Sequence, residues 1–254
     1  MGRDGIACAL VLIVGVLGAL GQQGEFAQRN AAGEQCIASV KSLPIRAPHL
    51  PGAIRAHVPT HAFVTLVLPL SSTDTLTIYE LGNWARYWAK AEKDRAPDEL
   101  TDPDSRLLIT RRGDPVFRYA LKDLRMPKGD TDDWGVSAEV MDAAHLCSGD
   151  LDITYLVLQS GNQGGLFVAL QKVAEGYKLI SISDAAQGRL VLSANSPHAI
   201  EVWDADEIGA CTACFKPFIV KTLEFNGTDY RLVSEHKTRK WYRGFQDQPL
   251  VVRR

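Results

Sequence analysis

The chain has 254 residues with a formal net charge of -2, and it is 46% hydrophobic and 23% charged, which is typical of a globular protein. The near-neutral balance argues against a nucleic-acid partner, because such a partner requires a basic surface. The length allows one large β domain or two small ones with a real core, so folding does not depend on disulfides.

The N-terminal segment is typical of an export signal. Residues 6–20 carry no charge, and this run has the length of a signal-peptide core but is shorter than the roughly 20 apolar residues that span a bilayer. Small residues at Ala19 and Gly21 predict cleavage after Gly21, with Gln22 as the new N-terminus. Residues 1–5 carry little net charge, because Asp4 offsets Arg3. The alternative is that the apolar run stays uncleaved and anchors the protein in the membrane. We expect a periplasmic or extracellular protein, with the cell envelope as a possible association and no stable transmembrane segment after cleavage.

By composition, the rest of the chain divides into an N-terminal segment and a longer β-rich region. Residues 22–58 are rich in Gln, Ala, Gly and Pro, which predicts a flexible N-terminal arm. Residues 59–254 predict a mainly β domain, with 59–146 and 147–254 as alternative subdomains. Apolar and alternating runs predict strands at residues 62–68, 75–81, 106–110, 116–119, 153–159, 166–170, 177–181, 189–193, 199–203, 218–225 and 230–234. Helices are predicted over residues 83–93, from a stripe at helical spacing, and over residues 136–146.

Two pairs of segments are similar to each other. Residues 167–181 and 218–234 share an apolar strand, a Gly turn and then Tyr, a basic residue, Leu, an aliphatic residue and Ser. Residues 106–117 match residues 189–200 at equal spacing. The sequence therefore predicts a mainly β fold of antiparallel hairpins in a partial propeller-like or sandwich arrangement, with one or two short helices. Strand period and turn chemistry alone can also make such hairpins alike.

The repeated units between residues 150 and 235 resemble the repeats of secreted bacterial proteins of the FG-GAP and VCBS type. The resemblance implies an exported, propeller-like protein and supplies no activity. Repeats of this type usually carry an Asp-rich calcium loop, of which this chain has only the stretch from Gly149 to Asp152. The Phe-Gly and Gly-Ala-Pro signatures are absent, so no calcium site follows from the resemblance.

Four cysteines follow the predicted cleavage site: Cys36, Cys147, Cys211 and Cys214. An even number in an exported chain favours disulfides, for which three connectivities exist. The simplest pairing joins Cys211 to Cys214 and Cys36 to Cys147.

The spacing of Cys211 and Cys214 is also that of a thiol-redox site. A thioredoxin-like site requires a helix directly after the first cysteine, whereas here Pro217 and a predicted strand follow. A zinc site would require two further ligands, for which Cys36, Cys147, His145 and His198 are available. None of these repeats the paired spacing, so a structural disulfide is the favoured interpretation.

A second candidate stretch contains His198 close to several acids. A Ser-His-Asp arrangement would use Ser193 or Ser196, but no Gly-x-Ser-x-Gly elbow is present in the chain. His198, Asp150 and Asp152 could also contact a divalent cation, although no complete ligand pattern can be written. Turn chemistry and a solvated acidic loop explain the same residues.

The C-terminal segment, residues 237–254, mixes Trp241, Tyr242 and Phe245 with basic residues and could contact an anionic surface such as phospholipid or cell wall. A last strand with a charged end is the alternative. The sequence predicts a non-catalytic binding or structural module of unknown ligand that uses no cofactor. The alternatives are a thiol-redox or metal-binding protein built on Cys211 and Cys214, and a hydrolase with a loop-built site.

Overall fold

The computed structural model describes residues 50–83, 87, 90–96, 104–124, 136–148, 151–160, 164–186, 188–193, 196–205, 214–243 and 250–253. Within these ranges the fold is mainly β, as predicted. The strands are β1 Phe63–Pro69, β2 Asp74–Glu80, β3 Ser105–Arg111, β4 Asp114–Ala120, β5 Val136–Ser148, β6 Leu151–Ser160, β7 Gly164–Val173, β8 Gly176–Ala186, β9 Arg189–Leu192, β10 Ala199–Ala205, β11 Phe218–Phe225, β12 Tyr230–Lys237 and β13 Val251–Arg253. The described helical segments are short: α1 Gly52–Arg55 and the 3-10 turns Glu92–Asp94 and Leu121–Asp123.

The strands form three sheets that follow one another along the chain. The N-terminal sheet has the order β1-β2-β3-β4, and the central sheet has the order β5-β6-β7-β8. The C-terminal sheet has the order β12-β11-β10-β9-β13. Neighbouring strands are antiparallel except β13, which pairs in parallel with β9. Mostly sequential hairpin connections therefore build each sheet.

The three sheets are stacked as layers, with the central sheet buried on both faces. In β6, Tyr155 and Val157 pack with residues of the C-terminal sheet, whereas Leu156 and Leu158 pack with residues of the N-terminal sheet. Successive side chains of a strand point to opposite faces, so a strand that is covered on both sides is apolar at nearly every position. The prediction allowed a propeller-like or a sandwich arrangement, and these stacked layers are consistent with a sandwich.

The outer faces of the two flanking sheets carry smaller apolar clusters. Ile54 of α1 and Val58 are buried with Val64, Tyr79 and Leu108 on the N-terminal sheet. These contacts involve residues 50–58, the last part of the predicted N-terminal arm. The remainder of that arm and the predicted signal peptide lie outside the described residues. The division into residues 59–146 and 147–254 stays a prediction, with its boundary inside β5.

The helix predicted over residues 136–146 is wrong, because this segment is β5. Buried side chains occur there at Val140, Ala143, Ala144 and Cys147, a spacing that resembles one face of a helix. The pairing of β5 with β6 shifts register between Val136 and Val140 and again between Val140 and Asp142, which interrupts the alternation of buried and exposed side chains. The central sheet is also buried on both faces, so neighbouring side chains can both be buried. Two physical causes thus combine to imitate helical periodicity.

The helix predicted over residues 83–93 is described only in part. The Tyr87 N–H donates to the Asn83 carbonyl at 2.7 Å, and the Lys90 N–H donates to the Tyr87 carbonyl at 3.1 Å. Residues 84–86 and 88–89 lie outside the described residues. Over the described part of the chain, no helix has the length and apolar character required to cross a membrane.

Candidate functional site

Two of the four cysteines selected from the sequence lie in the described part of the chain. Cys147 is buried near the end of β5, and Cys214 is exposed ahead of β11. Cys36 and Cys211 lie outside the described residues. Of the pair Cys211 and Cys214, only Cys214 is therefore described. The redox interpretation of that pair and the disulfide pairing stay predictions.

The predicted histidine and acidic candidates that the structure describes lie on different sheets. His198 is exposed in the turn before β10, where its carbonyl accepts the Phe225 N–H at 2.6 Å. Asp152 lies in β6 with Oδ1 2.8 Å from Nε2 of His145, and Asp150 lies outside the described residues. Within the described ranges no three or more His, Cys, Asp or Glu side chains group as metal ligands.

A buried carboxylate that sequence analysis did not select lies between two of the sheets. Asp74 begins β2 and has 0% of its surface exposed. Arg111, opposite it at the end of β3, donates from Nε to Oδ1 and from Nη2 to Oδ2, both at 3.0 Å. This two-point geometry gives a strong and directional ion pair, because both oxygens accept a charge-assisted hydrogen bond.

The same carboxylate also accepts a hydrogen bond from the central sheet. The hydroxyl of Tyr177, at the start of β8, donates to Oδ2 of Asp74 at 2.7 Å. Nζ of Lys172, opposite Tyr177 at the end of β7, lies 3.9 Å from the same oxygen. The Thr73 hydroxyl donates to Oδ1 at 2.8 Å. Asp74 therefore joins the ends of β2 and β3 to the ends of β7 and β8.

The proton affinities of this cluster follow from its contacts. Burial alone would raise the pKa of Asp74, but hydrogen bonds from Arg111, Tyr177 and Thr73, together with the Arg111 charge, lower that pKa to about 2. Burial and the accepting Asp74 carboxylate raise the pKa of the Tyr177 hydroxyl well above its ordinary value. Asp74 is thus an anion, and Tyr177 a neutral donor, throughout the physiological pH range.

A second buried acid connects the central sheet to the C-terminal sheet. Asp142 of β5 accepts the Ala143 N–H on Oδ1 and the Val251 N–H on Oδ2, each at 2.8 Å. Burial raises the pKa of Asp142, although backbone hydrogen bonds from Val251, Ala143 and Leu250 oppose the rise. The short strand β13 is therefore held at its start by a side chain from the neighbouring layer.

We expect Asp142→Ala to lower the free energy of unfolding by about 2 kcal/mol, because two buried backbone donors lose their acceptor. The specific readout is amide hydrogen exchange at Val251, which should become much faster in the variant than in the parent. Glu224→Ala, at an exposed position of β11, is the control and should change neither quantity. Unchanged exchange at Val251 would contradict this role for Asp142.

A pair of tyrosines makes a third polar link between layers. The hydroxyls of Tyr155, in β6, and Tyr230, in β12, lie 2.9 Å apart, and their ring centroids lie 6.5 Å apart. Burial raises the pKa of Tyr155 to about 12. Three sets of buried polar groups therefore connect the stacked sheets, each satisfied by a partner in a neighbouring layer.

One exposed surface carries the remaining distinctive chemistry. Lys216 and Tyr242 form a two-residue antiparallel bridge, with N–H to carbonyl distances of 2.9 and 2.8 Å. Beside them, Phe215 is 64% exposed and Trp241 is 65% exposed. We call Phe215, Trp241 and the exposed side chains of residues 237–243 the aromatic–basic patch. The composition of residues 237–254 indicates the C-terminal part of this patch, whereas Phe215 joins it only through the Lys216–Tyr242 bridge.

Tyr242 fixes the orientation of this patch. Its ring lies 5.5 Å from the Trp203 ring and 6.4 Å from the Phe218 ring, on the outer face of the C-terminal sheet. Arg189 covers another side of Trp203, with Cζ 3.8 Å from the ring centroid. Because adjacent residues of an extended segment point to opposite sides, an inward Tyr242 directs Trp241 to solvent.

The chain matches no protein-family model, and no curated protein and no solved structure matches it either. Function must therefore be inferred from the residues and their geometry.

Proposed function

We propose that the protein is a non-catalytic binding or structural module that acts outside the cytoplasm. The observation that carries the proposal is Asp74, whose fully buried carboxylate accepts hydrogen bonds from Arg111 and Tyr177. These donors belong to two different sheets. The acid therefore joins two layers of the sandwich instead of facing a ligand.

A general acid or base would have the opposite properties. Such a group lies within hydrogen-bond reach of its substrate, and its pKa lies near the working pH. Asp74 has no exposed surface and its pKa is lowered to about 2, so its carboxylate stays ionised at neutral pH. Asp142 likewise directs both oxygens at backbone N–H groups. The role of both acids is therefore to stabilise the packing of the sheets.

The export part of the proposal is supported by residues 1–21 and by the even number of cysteines that follow them. We propose the pairings Cys36–Cys147 and Cys211–Cys214. Cys147 is buried in β5, so its disulfide would tie the N-terminal segment to the central sheet. The disulfide of Cys214 would close a short loop ahead of β11.

The test is the intact mass of the purified exported protein without reductant, before and after thiol alkylation. We expect an N-terminus at Gln22, a mass lighter by two hydrogens for each disulfide, no alkylation and no bound metal. Alkylation of Cys211 and Cys214 in the parent protein, or an added zinc mass, would overturn the proposal in favour of a thiol or metal protein.

Two matched variants define the pairing. Cys214→Ser should expose one alkylatable thiol at Cys211, and Cys147→Ser should expose one at Cys36. Any other position of the new thiol would contradict the proposed connectivity. Covalent labelling of the parent protein by a fluorophosphonate probe would indicate an activated serine, and it would contradict the non-catalytic part of the proposal.

A further inference from the structure

The aromatic–basic patch combines two kinds of exposed side chain. Its apolar members are Phe215 and Trp241, two of the most exposed large hydrophobic residues in the described part of the chain. The Lys216–Tyr242 bridge places Phe215 and Trp241 on neighbouring antiparallel segments. Large apolar groups of this kind usually mark an interaction surface when they occur together rather than singly.

The segment that carries Trp241 has charged side chains of one sign. Residues 237–243 contain four basic side chains and no acidic one, namely Lys237, Arg239, Lys240 and Arg243. All four are exposed. The whole chain has a net charge of -2, so this segment is a local concentration of positive charge on a protein that is slightly acidic overall.

We propose that the aromatic–basic patch docks on an anionic phospholipid bilayer. Tryptophan is favoured at the boundary between headgroups and acyl chains, where its ring is partly apolar and its N–H remains hydrated. Basic side chains beside it bind the negative surface of anionic lipids. Docking would immerse Phe215 and Trp241 at the boundary while Arg239 and Lys240 contact phosphates.

Phe215 and Trp241 distinguish a bilayer from a soluble polyanion as the binding partner. A polyanion such as a nucleic acid or an acidic polysaccharide would be bound mainly through the cations, whereas a bilayer also gains from immersion of Phe215 and Trp241. The packing of Tyr242 against Trp203 and Phe218 favours a bilayer as well, because it directs the adjacent Trp241 outward in the free protein. Docking then requires little ordering of side chains.

The inference rests on the proposed extracytoplasmic binding role and names the surface that is bound. It is tested on the full mature protein by co-sedimentation with phosphatidylcholine vesicles, with and without phosphatidylglycerol. We expect strong binding only to vesicles that contain phosphatidylglycerol, and weaker binding as salt increases. A blue shift of tryptophan fluorescence should accompany binding and should decrease in Trp241→Phe, which keeps an apolar ring.

Two double variants separate the contributions. Arg239→Gln with Lys240→Gln should weaken binding about 25-fold, since each surface charge contributes about fivefold. Phe215→Ala with Trp241→Ala should weaken binding at least about tenfold, because two apolar groups no longer enter the bilayer. The control is Arg231→Gln with Leu232→Ala, an exposed basic and apolar pair at the far end of β12, which should leave binding unchanged.

The outcomes are distinct from those of the mass experiment. Absence of vesicle binding by the folded protein would overturn the docking inference and leave the disulfide result untouched. Binding that persists in the Phe215→Ala and Trp241→Ala variant, and that an excess of heparin abolishes, would identify a soluble polyanion as the partner instead. Circular dichroism of each variant establishes that altered binding does not come from unfolding.

Discussion

Asp74→Asn is expected to lower the free energy of unfolding by about 3 kcal/mol at neutral pH. The substitution keeps the size of the side chain but removes the charge that Arg111 and Tyr177 bind, and it places an amide where the carboxylate accepted hydrogen bonds. Removing one member of a buried ion pair costs roughly 3–5 kcal/mol, and the 42% exposure of the Arg111 side chain keeps the loss at the lower end. Chemical denaturation of both proteins measures the difference.

The control for this substitution is Asp229→Asn, in the exposed turn between β11 and β12. It removes the same charge and should change the free energy of unfolding by less than about 0.5 kcal/mol. Equal effects of the two substitutions would mean that net charge, and not the Asp74 cluster, determines stability. Tyr177→Phe should cost about 1.5 kcal/mol, since it deletes only the hydrogen bond between layers.

The pH dependence of stability gives an independent readout of the same group. The pKa of Asp74 is lowered from 3.8 to about 2, so the folded state binds this proton less tightly than the unfolded state. The resulting stabilisation, roughly 2 kcal/mol, is present above about pH 4 and is lost as the pH falls towards 2. The difference between the parent and Asp74→Asn should therefore narrow over this interval. A difference that stays constant from pH 6 to pH 2 would assign the loss to packing instead.

Hairpins were the most predictable part of this fold. The two-residue signal Asn226-Gly227 between apolar runs predicts a tight turn, and the structure places Gly227 at a φ of 94° between β11 and β12. The Asn226 side chain accepts the N–H groups of Thr228 and Asp229, which explains why this pair of residues suits the turn. Turn chemistry is local, so the sequence alone carries it.

The stacking of the sheets and the buried polar links were not predictable in the same way. Asp74 follows Ser71 and Thr73 in a stretch that has the composition of an ordinary polar turn, and nothing local indicates full burial. Its partner Tyr177 is 103 residues away in sequence. Such contacts depend on how whole sheets pack. The misassigned β5 has the same origin, because burial on two faces and register shifts removed the period of two that identifies a strand.

The largest loss of stability is expected for Phe167→Ala, at about 4 kcal/mol. Phe167 is fully buried in β7, where it packs in the core between the central and C-terminal sheets. Truncation removes a large apolar group and leaves a cavity in a layer that is covered on both faces and has little room to relax. Leu232→Ala, at a residue that is 56% exposed on β12, is the matched control and should cost less than about 0.5 kcal/mol.

Thermal and chemical denaturation of both variants measure this contrast. Because Phe167 lies on the face of the central sheet opposite the Asp74 cluster, the Phe167→Ala and Asp74→Asn effects should add when the two substitutions are combined. Additive losses, with one cooperative transition, are the result expected of three layers that unfold together. The contrary result is two separate transitions in the Phe167→Ala variant, of which only one keeps the pH-dependent stabilisation by Asp74. That result would mean that the N-terminal and C-terminal sheets belong to units that unfold independently.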